Sequence, residues 1–168
     1  MSKKTRAVTL SAMLSALCVV LLFIASVFPT GQLGLVAAAS LFVAAAVIEI
    51  GIGSGVSVFI ISSILGMLIV PNKTAALLFV MFFGYYPVIK ELSGRVRGIA
   101  IQWMIKLIVF NASLTLTFFM IKELFIAFTS RPLGMALLYA AGNAVFILFD
   151  YGYSKLILFY KERIHKRK

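Results

Sequence analysis

The sequence predicts an all-α fold: a polytopic bundle of six transmembrane helices forming one integral membrane domain over residues 1–168, with N and C termini in the cytoplasm. Three observations predict it. Hydrophobic residues make up 62% of the 168-residue chain and charged residues only 12%, against about a quarter charged in an ordinary soluble domain. Mean hydropathy is +1.10, and apolar runs close to the ~20 residues needed to cross a bilayer recur from one end to the other. The net charge of +11 comes mostly from basic residues at the ends and in short connections between those runs.

The first span is expected over residues 7–28, ended by Pro29 and Gly31. It is too long for the apolar region of a signal peptide, typically about 7–15 residues, and reads as a retained span. The second, over 33–52, starts after a turn containing Gln32, and Gly51, Gly53 and Gly55 punctuate the next break. Glycine alone divides it from the third span, over 56–70, so five spans stand beside six as an alternative there. Pro71-Asn72-Lys73 stops the third span. The fourth, over 74–89, is short, and Tyr85 and Tyr86 near its exit suit an interfacial aromatic belt. After it comes a polar break over 90–97, long enough for a short interfacial helix. The fifth span is expected over 101–128 and the sixth, opened by Pro132, over 133–158.

Charge gives the orientation. With the N-terminus inside, Lys3, Lys4, Arg6, Lys90, Arg95, Arg97 and the basic tail are cytoplasmic, leaving Lys73, Lys122 and Arg131 outside, as the positive-inside rule requires. The expected localisation is therefore the cell membrane, multi-pass, with the lipid bilayer as a partner. Nucleic acid is not expected as a partner, because the basic residues form no folded face with interleaved aromatics.

Enzyme signatures are missing from the sequence: no phosphate-binding glycine loop with lysine, no paired histidines at metal spacing, no Ser/His/Asp set. One cysteine, Cys18, and one histidine, His165, leave little for metal or thiol chemistry. No catalytic residue, metal or cofactor is expected, and any active transport must draw its energy from an ion gradient or from another subunit.

Polar groups in lipid are costly, which makes each one a candidate. Asn111 and Asn143 fall near the bilayer midplane in the fifth and sixth spans. They either line a ligand pocket or hydrogen-bond across neighbouring helices. Glu49, Lys106 and Asp150 fall at similar depths toward the cytoplasmic side, as an ion-pair layer or as the coupling groups of a carrier. Gln32, Lys122 and Tyr139, toward the outer side, are further substrate-binding candidates or interfacial anchors.

The first span carries the most informative local pattern. Ala12 and Ala16, flanked by Ser11 and Ser15, form a small-xxx-small groove that serves packing within the chain or docking of another helix. A short basic N-terminus leads directly into Arg6-Ala7-Val8-Thr9-Leu10-Ser11-Ala12-Met13-Leu14-Ser15-Ala16-Leu17. This opening resembles the substrate-binding S components of energy-coupling factor transporters, and S-component-like bacterial membrane proteins. The glycine-rich entry to the third span, Gly51 to Gly55, is similar too. The resemblance implies a six-span protein that captures a small, vitamin-like nutrient. It also implies that Ala12 and Ala16 dock on a transmembrane coupling subunit served by separate ATPases. The short first outer connection departs from that family, and no ligand residues carry over. Two other readings stand beside this one: a non-transporting scaffold of envelope or cell-shape assembly, and a gradient-driven carrier using Glu49, Lys106 and Asp150.

Overall fold

The structure, a computed structural model, describes residues 3–28, 30–120 and 133–163. They form helices and connecting turns, without strands. The helices are α1 (Lys3–Val27), α2 (Gln32–Glu49), α3 (Ile52–Ile69), α4 (Lys73–Leu78), α5 (Tyr86–Gly94), α6 (Ile99–Met120) and α7 (Gly134–Arg163), with a π-helical turn, Phe79–Phe83, following α4. Among the described residues six helical stretches are long and apolar enough to cross a membrane, the fourth being Lys73–Gly94. The shortest, of 18 residues, rises about 27 Å at ~1.5 Å per residue, close to the thickness of the hydrocarbon core. The chain is thus a multi-pass membrane protein by its helices. It divides into two compact units, residues 1–97 and 98–168.

The first unit is built on small residues. The inward face of α1 carries Ser11, Leu14, Ser15, Cys18, Leu22 and Ala25, spaced three and four apart as one helix stripe requires. Lipid offers no hydrophobic driving force between helices, so close approach and dispersion must hold them. Gly66 of α3 lies where a Cβ would stand 3.3 Å from Leu22, and a Cβ on Gly55 would overlap Val47 of α2. Ser62 Oγ donates to the Ser15 carbonyl at 3.5 Å, and Cys18 Sγ reaches the Ala39 carbonyl at 3.5 Å. Other hydroxyls bond back within their own helices, as Ser15 does to Ser11 and Ser57 to Gly53, which keeps them satisfied without water.

The connections are tight. Only Ile50 and Gly51 separate α2 from α3, and Gly51 has φ +130°, a conformation that disfavours any side chain. Gly53 and Gly55 are already helical, so the glycine run does not prolong the break, and α2 and α3 are two separate membrane-length helices. After α3, Asn72 Oδ1 accepts from Thr74 N and caps α4, while Lys73 Nζ donates to the carbonyls of Met67 and Val70 at 2.7 and 2.9 Å and closes the end of α3.

The fourth span differs most from the expectation. It runs to Gly94 rather than ending near Ile89, and it is broken in the middle rather than at its exit. Gly84 N bonds to Phe79 O, a five-residue step that inserts the π turn, and Pro87 opens the next helix. A Cβ on Gly84 would come within 2.7–2.8 Å of the Phe59 and Phe79 rings. Tyr85, half-buried, meets Phe59 edge-on at 6.4 Å, and Tyr86 is buried, so both tyrosines pack against the rest of the first unit. Lys90 sits over the Tyr86 ring at 5.6 Å and Glu91 pairs with Arg95, and the helix continues through the first part of the polar run to Gly94.

Candidate functional site

The second unit places the candidates of the fifth and sixth spans in one seam between α6 and α7. Chain direction makes the two helices antiparallel neighbours, and the contacts step along both at helical spacing. Lys106 Nζ donates to both carboxylate oxygens of Asp150, at 3.2 and 3.1 Å, with the side chains 11% and 5% exposed. The same ammonium lies 4.9 Å from the centre of the Trp103 ring. One turn further along α6, Phe110 stacks on Phe146 with centroids 4.5 Å apart.

Next comes the amide rung. Asn111 Nδ2 donates to Asn143 Oδ1 and Asn143 Nδ2 to Asn111 Oδ1, each at 3.0 Å. Their remaining donors go to the carbonyls of Leu107 and Tyr139, both at 2.8 Å. Each amide is therefore satisfied on its donor and acceptor sides. Beside Asn143, Gly142 lets the Leu114 side chain come close, 3.3 Å from where a Cβ would stand. Thr115 Oγ1 and the Tyr139 hydroxyl stand 2.7 Å apart, and Thr115 also bonds to the Asn111 carbonyl. With its one proton on that carbonyl, Thr115 accepts from Tyr139. From Lys106 to Thr115 the seam extends about 13 Å, at ~1.5 Å per residue.

The magnitudes separate the charges from the amides. A lone Lys or Asp at the centre of a membrane helix costs about 2.5–3.5 kcal/mol on insertion scales. A polar bond between helices returns on average ~0.6 kcal/mol. Amide and hydroxyl rungs are well within the range of packing bonds. The ion pair is not: as packing alone it would be inferior to two apolar side chains.

Asn111, Asn143 and Tyr139, expected as substrate contacts, and Lys106 and Asp150, expected as a charge layer, thus belong to a single constellation. Glu49 belongs to the other unit, where it ends α2 half-buried. Gln32 opens α2; among the described residues its Nε2 is buried without a hydrogen-bond partner. Lys122 lies outside the described residues. Thr115, Trp103 and the Phe110–Phe146 stack were not singled out from sequence. The signal was there: Lys106, Phe110 and Leu114 recur every four residues, as do Asn111 and Thr115, so one helix face carries them all.

On α1, Ala12 and Ala16 are exposed, together with Met13, Leu17 and Val20, while Ser11, Leu14 and Ser15 face the core. The serines, not the alanines, supply the small surface used for packing within the chain.

Compared with protein-family models, curated proteins and solved structures, the chain matches none.

Proposed function

We propose that this chain is the membrane-embedded substrate-binding subunit of an uptake system for a small polar nutrient, energised by a separate coupling module. The carrying observation is the outward face of α1. Ala12 and Ala16 leave a shallow groove on a helix whose opposite side already makes the internal contacts, so the groove is open to a partner helix. The α6–α7 seam lines up amides, hydroxyls and an ion pair, groups that a polar substrate would engage in place of their bonds to one another. Both termini lie in the cytoplasm in this reading, which keeps most basic segments on that side. The protein is not itself an enzyme, and its location is the cell membrane.

Co-purification with a transmembrane coupling subunit and its ATPases tests the docking. Ala12→Trp and Ala16→Trp fill the groove from an exposed face, so helicity and stability should hold while assembly and uptake are lost. Unchanged assembly and uptake in both variants would refute the docking role.

The Lys106–Asp150 pair favours a second reading, a gradient-driven carrier, because buried paired charges within spans mark ion pathways. Substrate uptake that persists after Asp150→Asn, with the protein folded, sinks that reading.

A further inference from the structure

We infer that the end of the first unit where α1 begins and α5 finishes is a binding surface for anionic phospholipid headgroups, centred on Arg97. Four spans separate the start of α1 from the end of α5, so both lie at the same face of the membrane, and α2 ends there too. Lys4, Arg6, Lys90, Arg95 and Arg97 are carried at that end; the acids there are Glu49 and Glu91. Lys4, Arg6, Arg95 and Arg97 are all exposed.

The bases differ in what they already hold. Arg95 shares its charge with Glu91 at 3.6 Å, and Lys90 lies over the Tyr86 ring. Arg97, Lys4 and Arg6 make no ion pair or hydrogen bond through their side chains among the described residues. At the opposite face, Lys73 has its ammonium engaged by the carbonyls that end α3. One face thus presents uncommitted cations, while the described lysine of the other serves as a helix cap.

Apolar neighbours point to a lipid rather than a free anion. Leu92 and Val96 are exposed, and Val96 stands between the two arginines. A phospholipid offers phosphate to the arginines and acyl chain to these two side chains at once, whereas inorganic phosphate offers only the first. Each basic residue near an anionic membrane surface strengthens attachment by about fivefold.

Native mass spectrometry of the full chain in detergent, titrated with phosphatidylglycerol or phosphatidylcholine, tests this. The expected result is several-fold preferential retention of phosphatidylglycerol. Arg97→Gln should lower that retention about fivefold and Glu91→Gln should raise it, while Lys73→Gln leaves it unchanged. Inorganic phosphate at millimolar concentration should not displace the lipid. Equal retention of the two lipids, equal effects of Arg97→Gln and Lys73→Gln, or displacement by inorganic phosphate would each overturn the inference. Circular dichroism of each variant confirms that the exposed substitutions leave the helices intact.

Discussion

In the first unit, helices meet through glycine, alanine and serine at positions where a larger side chain has no room. In the second, α6 and α7 meet through rungs of complementary polar groups with an aromatic stack between them. The difference teaches how each unit responds to change. Close packing is continuous, and losing one contact leaves the neighbours in place. A polar rung is all or none, because removing one partner leaves the other unsatisfied in a medium without water. The first unit should therefore be sensitive to added volume, and the second to broken pairs.

The sharpest contrast is at the ion pair. Lys106→Met or Asp150→Leu alone leaves a buried charge without its partner and should cost about 3–5 kcal/mol, read as lost stability in mixed-micelle unfolding. The double variant removes both charges and should recover most of that loss. If substrate uptake stays lost in the refolded double variant, the pair serves function rather than packing. Single variants as stable as the parent would mean that the two charges do not depend on each other.

Added volume tests the first unit. Gly84→Ala places a methyl against the Phe59 and Phe79 rings, and overpacking of this kind costs about 1–3 kcal/mol. Phe59→Leu, combined with it, should return part of the loss by opening space. The same alanine at Gly152, where a Cβ meets nothing within 4 Å, should be close to neutral. Equal stabilities for the two glycine variants would show that the break in the fourth span is not held by ring packing.

Hydropathy and charge encode some features of this molecule and not others. Span number, the turn at Gly51 and the shared depth of Asn111 and Asn143 were legible in the sequence, since all depend on composition along the chain. The sequence grouped Lys106 and Asp150 with Glu49 by depth alone; opposite charges on antiparallel neighbours pair the first two, and Glu49 belongs to the other unit. The fourth span was harder. Lys90, Glu91 and Arg95 lower the local hydropathy and read as an end, yet the Tyr86 ring beneath Lys90 and the pairing of Glu91 with Arg95 accompany a helix that runs on to Gly94. A π turn shifts the phase of side chains without altering composition, so nothing in the pattern of Phe79 to Phe83 announces it. The facing of Ala12 and Ala16 was open for a related reason. Ser11 and Ser15 are as small and one position away, and only the packing decides which pair turns inward.

The smallest expected effect lies at the amide rung, and it separates the two roles of the seam. Asn111→Ala removes one partner and leaves Asn143 with an idle donor and acceptor in a half-buried position. The loss should be about 0.6–2 kcal/mol, well below that at the ion pair. Asn111→Leu with Asn143→Leu replaces the rung by apolar contact next to the Phe110–Phe146 stack, and its stability should approach that of the parent. A rung that only joins helices then leaves uptake intact in the double variant. One that recognises substrate abolishes uptake while the helices remain paired, because leucine can fill the space of an amide but neither donate to nor accept from a polar ligand.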